Sequence, residues 1–188
     1  MRLIKTMIHP SVNSVEGRTY NRRAARGIIL RGSKILLLYT KRYNDYSFPG
    51  GGVELGEDWI SGLRRELAEE TGANNIQIIS EFGYIDEYRP HYKPEFDLIH
   101  MVSNFYVCEI DEVLNQASLE DYEIDNGMSS MWVDIHEAIR HNKEVMVNQE
   151  SSMGLSIERE TLVLELVAQE LVQSVSVGHL LHTATPMG

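Results

Sequence analysis

An α/β fold with helices on both sides of a mixed β-sheet, an α/β/α sandwich, is what this sequence predicts, and three observations carry it. β-rich runs alternate with amphipathic helical stretches along most of the chain. One of those helical stretches has a start signal, Asp58, and a stop signal, Gly72. With 188 residues, 43% of them hydrophobic, the chain can build one domain with a proper core plus appended segments, and is short for two full domains.

Taken in order, residues 1–21 form an N-terminal segment whose apolar Leu3, Ile4, Met7 and Ile8 stand outside the expected core. Ala25 to Leu30 and Lys34 to Thr40 are β-rich runs around Arg31-Gly32-Ser33, a hairpin turn. A loop from Lys41 to Ser47 leads into Gly50-Gly51-Gly52, and the capped helix follows. Asn75 to Tyr88 and Leu98 to Glu109 read as two longer strands joined by a turn containing Pro90 and Pro94. Met131 to Val133 is a short strand, and Asp134 can cap a helix over Ile135 to His141. These elements, gathered around one sheet, place the main domain at residues 22–141. Beyond it, residues 142–188 are expected to form a helical extension and tail packing on the core or on a partner subunit. Ser156 to Val172 is its long helix, with Glu158, Glu165 and Gln169 on a polar stripe and apolar residues around much of the remainder. The tail after Val177 has no periodicity.

The chemistry is concentrated on the helix between Asp58 and Gly72. At ~100° per residue, spacings of three and four hold Glu66, Glu69 and Glu70 within roughly a 100° arc of one face. Ile60, Leu63 and Leu67 form an apolar stripe beside that arc, so the helix buries one side and presents its carboxylates at the border. Clustered carboxylates repel. A divalent cation would neutralise them, and Mg²⁺ binds through one or two carboxylates, waters and substrate phosphate oxygens.

The stretch GGVELGEDWISGLRRELAEETGA, from Gly51 to Ala73, resembles the box of the Nudix hydrolases, G-x5-E-x7-R-E-U-x-E-E-x-G-U with U bulky and aliphatic. Gly51, Glu57, Arg65, Glu66, Leu67, Glu69, Glu70 and Gly72 fall in register, and only Ala73 departs, at the last aliphatic place. Phe48-Pro49-Gly50 and Val53-Glu54 are similar to the family's approach to the box, and a looser likeness extends over Arg22 to His141. The resemblance implies the same sandwich fold and hydrolysis of a diphosphate linkage in a nucleoside diphosphate joined to another moiety. A nucleoside triphosphate, an ADP-ribose-like nucleotide sugar and a dinucleoside polyphosphate are the substrates it allows. It implies that Glu66, Glu69 and Glu70 bind Mg²⁺, or Mn²⁺ in its place, or activate water, with Gly50 lending a carbonyl. Glu57 either assists or pairs with Arg65, whose forked guanidinium would hold carboxylates in place. Glu66 is the first choice of general base. Glu120, Asp121 and Glu123, in a loop ahead of Trp132, are the other source, because Ser129 and Ser130 stand where the family more usually places such a glutamate.

A formal net charge of −11 works against non-specific nucleic-acid binding and repels a free polyphosphate, so local cations are needed. Arg22, Arg23 and Arg26 are the candidate phosphate contacts, and Tyr46 and Phe48 the rings that could stack on a base. The C-terminal 142–188 segment, with two basic and six acidic side chains and no helix-turn-helix spacing, does not resemble a DNA-reading module. The absence of a long apolar run or signal-peptide core points to no membrane and a cytoplasmic protein. The single cysteine, Cys108, lies in an apolar stretch and reads as buried. The broad apolar face of the Ser156–Val172 stretch and the apolar N-terminal residues lead to a homodimer as the expected assembly. Two other functions fit the same likeness: a nucleotide sensor without catalysis, or a diphosphate isomerase needing a cysteine near the metal.

Overall fold

The computed structural model describes residues 1–172, so the tail after Val177 lies outside the described residues. In chain order the elements are β1 (Leu3–Ile8), β2 (Thr19–Ile28), β3 (Leu30–Arg31), β4 (Lys34–Thr40), β5 (Asp45–Ser47), α1 (Trp59–Thr71), β6 (Gln77–Pro90), β7 (Leu98–Glu109), α2 (Asp121–Asp125), β8 (Met128–Asp134), α3 (Ile135–Asn148) and α4 (Ile157–Val167), closing in a π-helical turn over Ala168–Val172. The mixed α/β class holds, but the strands divide between two four-stranded sheets where the sequence suggests one. Each sheet belongs to its own compact unit, the first made of Met1–Ile29 and Pro49–Leu119, the second of Leu30–Phe48 and the chain from Glu120.

The first unit holds the sheet β1-β6-β7-β2. It is mixed: β6 and β7 run antiparallel, while β1 is parallel to β6 and β2 parallel to β7. Leu3–Ile8 of the N-terminal segment is therefore a strand of this sheet, although Leu3 and Ile8 remain 50% and 53% exposed. Helix α1 packs on β2 through Leu63 and Leu67, both fully buried; truncating either to Ala would cost about 2–5 kcal/mol. Its ends are fixed as the sequence suggests. Asp58 accepts from the N–H groups of Ile60 (2.9 Å) and Ser61 (3.0 Å), and Gly72, at φ 70°, returns its N–H to Ala68.

The second unit is built on β4, flanked by β5 and β8, with β3 pairing as the short hairpin arm; every pairing is antiparallel. Ile35, Leu36, Leu37 and Leu38 are all buried, so β4 is covered on both faces and reads as a continuous apolar run. Helix α3 starts at the Asp134 cap but runs on to Asn148, past the expected His141. Its fully buried Asn142 pairs with both backbone groups of Tyr46 at 2.9 Å, securing β5. Helix α4 buries Ile157, Val163, Leu164 and Val167 within the chain, so the apolar face expected to seek a partner is already covered. It also buries the pair Arg159–Glu160: Glu160 accepts from Arg159 Nη2 at 2.7 Å through Oε1 and from the Phe48 N–H at 3.0 Å through Oε2. Burial, reinforced by the nearby Glu160 charge and opposed by His141, pushes the Asp45 carboxyl up to about 6.

Candidate active site

Everything in the Gly51–Ala73 stretch falls in the first unit, where residues 49–53 lie antiparallel along the free side of β2. Gly27 N–H donates to Pro49 O (2.9 Å), Ala25 N–H to Gly51 O (3.0 Å) and Val53 N–H to Arg23 O (3.0 Å). Such close approach explains the glycines. Gly50 sits at φ +122°, and a Cβ there would strike the Ala25 carbonyl oxygen. At Gly51 a Cβ would strike the Glu66 carboxylate, which lies directly against that residue.

Three charged groups converge on this strip. Buried Glu70 accepts the Gly50 N–H at 2.5 Å. Arg26 Nη1 donates to the carbonyl of the same glycine, and the Arg22 guanidinium lies over Gly52, its Nη2 3.5 Å from where a Cβ would stand. Arg65 then ties strip to helix. It donates to Glu57 through Nε (3.2 Å) and Nη2 (3.1 Å), to Glu66 Oε1 (2.8 Å) and Glu69 Oε2 (3.2 Å) through Nη1, and to Gly52 O (3.0 Å). One guanidinium thus contacts three carboxylates, and a single positive charge leaves the group negative.

The electrostatics follow. Hydrogen bonds from Arg65, then the Glu54 N–H, hold the Glu57 carboxyl below its ordinary value. At Glu66 burial outweighs the Arg65 contact, and its carboxyl is raised. Crowding by Glu69 is the smallest contribution there, so the elevation expected for a carboxylate cluster has desolvation as its main cause. Arg65 is held more firmly protonated, chiefly by Glu57.

Among the described residues no three His, Cys, Asp or Glu side chains stand as a preformed metal group. The residues would fit a hard cation: the carboxylates of Glu66, Glu69 and Glu70 and, on the lone pair that Arg26 leaves, the carbonyl of Gly50. Glu66 and Glu69 each engage Arg65 through a single oxygen, which leaves their chemistry suited to such an ion. Arg65 and Arg26 supply the positive charge in this arrangement.

Other expected residues fall elsewhere. Arg23 turns to the loop: its Nη2 donates to the carbonyls of Glu54 (3.2 Å) and Glu57 (3.0 Å), and its guanidinium lies 5.2 Å from the Trp59 ring centroid. Tyr46 and Phe48 belong to the second unit. Phe48 is fully buried, so its ring offers no face for stacking, a correction to the sequence reading; Tyr46 packs 5.2 Å from Tyr39 and 5.1 Å from His141. Glu120, Asp121 and Glu123, expected in a loop, form the cap and first turn of α2. Glu123 accepts from the Glu120 N–H (2.8 Å) and the Tyr122 hydroxyl (3.0 Å), a capping box that ties down both oxygens. Cys108 is buried, and desolvation pushes its thiol up to about 12. Sequence reading missed the loop contacts of Arg23; its only signal was the adjacency of Trp59 to the cap.

An RNA pyrophosphohydrolase of Sulfurovum sp. (strain NBC37-1) is 49% identical over 39 residues, 21% of this chain and 25% of the relative. Another, from Blochmanniella pennsylvanica (strain BPEN), is 26% identical over 137 residues, covering 63% of this chain and 84% of the relative. With the first of these, and with one of Bartonella henselae, the match spans only about a quarter of the relative's length. The solved MutT NUDIX hydrolase from Burkholderia pseudomallei is 20% identical, covering 62% of this chain and 85% of that one at a TM-score of 0.44. Among the described residues no helix is long and apolar enough to cross a membrane. The NUDIX domain model matches residues 21–152, taking in the acidic helix, the glycine strip and the arginines of β2, and the chain belongs to that family.

Proposed function

We propose that the protein is a metal-dependent hydrolase of phosphoric anhydrides, cleaving the diphosphate linkage of a nucleoside diphosphate joined to another moiety. The observation that carries this reading is the Arg65 fork, which fixes Glu57, Glu66 and Glu69 against a glycine strip whose Gly50 N–H is held by Glu70. An anhydride resists water because its charge repels nucleophiles, so the site must screen that charge and aim a water at phosphorus. Glu66, Glu69, Glu70 and the Gly50 carbonyl would hold Mg²⁺ or Mn²⁺, which when bound supplies charge screening and a more acidic water. Glu66 takes the proton of the attacking water. As the new P–O bond forms, the bridging P–O bond breaks and the leaving phosphate departs as an anion, its charge met by Arg22 and Arg26.

The relatives' name raises RNA as a substrate. A chain of net charge −11 is poorly suited to a long polyanion, and we favour a small nucleotide. An isomerase reading is disfavoured by the buried Cys108 thiol, whose Sγ donates to Tyr106 O at 3.4 Å. Self-association as a homodimer rests on the exposed Leu3 and Ile8; a monomer by light scattering at high micromolar concentration would overturn it. The central test assays the purified protein on nucleoside triphosphates, ADP-sugars and dinucleoside polyphosphates, following phosphate and pyrophosphate separately, with Mg²⁺, Mn²⁺ or excess chelator. Turnover that needs the cation is expected; undiminished turnover in chelator would refute the metal dependence, and binding without turnover would favour a sensor.

A further inference from the structure

Arg23 stands out in the first unit because, on the exposed stretch of β2, its Nη2 donates to two backbone carbonyls of one loop. The segment it grips, Val53 to Glu57, joins the glycine strip to α1. It contains Gly56 at φ +86° and Leu55, which is fully exposed, so the middle of the loop is not held by packing. It is fastened at two levels by one residue: the Arg23 carbonyl accepts the Val53 N–H at 3.0 Å, and its guanidinium bridges the carbonyls of Glu54 and Glu57 while lying over Trp59. Glu57 joins the two arginines. Its backbone is held by Arg23 and its carboxylate by the Glu54 N–H at 3.0 Å and by the Arg65 fork, and Arg65 in turn sets Glu66 and Glu69.

We propose that Arg23 is a positioning residue that straps the Val53–Glu57 loop to β2 and, through Glu57 and Arg65, fixes where the Glu66 and Glu69 carboxylates lie. The proposal rests on the catalytic reading above. A lysine replaces the strap only in part: both carbonyls accept from the single nitrogen Nη2, which an ammonium can imitate, but an ammonium has no planar group to pack over the Trp59 ring. A phosphate contact would behave differently: its loss weakens the hold on phosphate and leaves the loop as it was.

The test compares Arg23→Ala, Arg23→Lys and Arg22→Ala in the full chain. Three readouts are taken: Mn²⁺ affinity by electron paramagnetic resonance without substrate, the rate of cleavage after Glu54 and Glu57 by a glutamate-specific protease, and kcat and KM on the best substrate found. Both Arg23 variants are expected to be cut several-fold faster in the loop, to bind Mn²⁺ more weakly, and to lose about ten- to a hundredfold in kcat with KM little changed. Arg22→Ala, which removes a group that meets the leaving phosphate, should lower kcat but leave loop cleavage and Mn²⁺ affinity at the wild-type level. Unchanged cleavage and Mn²⁺ affinity in Arg23→Ala would overturn the strap, and full rescue by Arg23→Lys would overturn the part given to the planar guanidinium. If the wild type turns over nothing, the catalytic reading fails, while proteolysis and Mn²⁺ binding still decide the strap.

Discussion

The dipeptide Arg–Glu occurs on two helices, as Arg65-Glu66 on α1 and as Arg159-Glu160 on α4, and the molecule treats the two differently. On α4 the side chains are 2% and 1% exposed and close on each other, with the second Glu160 oxygen given to the Phe48 N–H. On α1 they are 29% and 16% exposed, and the guanidinium spreads over three carboxylates, none of which it satisfies through both oxygens except Glu57. Sealed and saturated, the first pair can only hold the fold. Open and shared, the second leaves carboxylate oxygens at the rim of a glycine strip, where a ligand can reach them. Identical residues become scaffold or candidate chemistry according to how many partners burial forces on them.

The contrast can be broken most directly at Glu160. Glu160→Ala removes the buried carboxylate that accepts from Arg159 and from the Phe48 N–H, and should cost about 3–5 kcal/mol in denaturant unfolding; a loss below ~1 kcal/mol would erase the distinction. Next in size is Asp45, also in the second unit. A carboxyl at about 6 in the folded state against 3.8 unfolded makes folding favour the protonated form, so stability is full at low pH and falls as pH rises through that window. The loss is on the order of 3 kcal/mol. Asp45→Asn should flatten the slope and gain stability at pH 8; an unchanged slope would remove Asp45 as its source.

Glu70→Gln sharpens the comparison, since Glu70 is the buried member of the open group. Its amide oxygen can still accept the Gly50 N–H, so thermal unfolding should move little. The hydrolysis rate should fall by at least ~10², worth about 2.7 kcal/mol. Wild-type turnover at saturating Mg²⁺, or activity lost only through unfolding, would return the acidic face to mere surface. The smallest effect is at Cys108, whose buried thiol should react with a thiol reagent at neutral pH only after denaturant is added; prompt labelling of the native protein would contradict its burial.

What could be read beforehand was local. Asp58, Gly72 and Asp134 announce their helix ends because caps act within a few residues, and Leu98 to Glu109 was found to its ends because alternation and flanking turns suffice. The acidic arc was legible because helical spacing alone places it. Pairings between distant segments were not. The residues of β1 show only an apolar bias, and nothing in them says that they lie parallel to β6. The division into two sheets hides for the same reason, as does the burial of Phe48, which depends on an Asn142 clamp and a Glu160 acceptor roughly a hundred positions away. The partners of Arg23 are hidden too, because backbone carbonyls leave no mark in a sequence.

The parallel alignment of β1 with β6 also sets a timetable. Synthesis delivers β1 first, and the strand that must receive it follows some eighty residues later. At typical elongation of about 5–20 residues per second, that interval is roughly 4–16 s. During it Leu3 and Ile8 travel on an unpaired strand, so the nascent chain is most open to chaperones, or to mispairing with a neighbouring polypeptide, before the β6–β7 hairpin emerges.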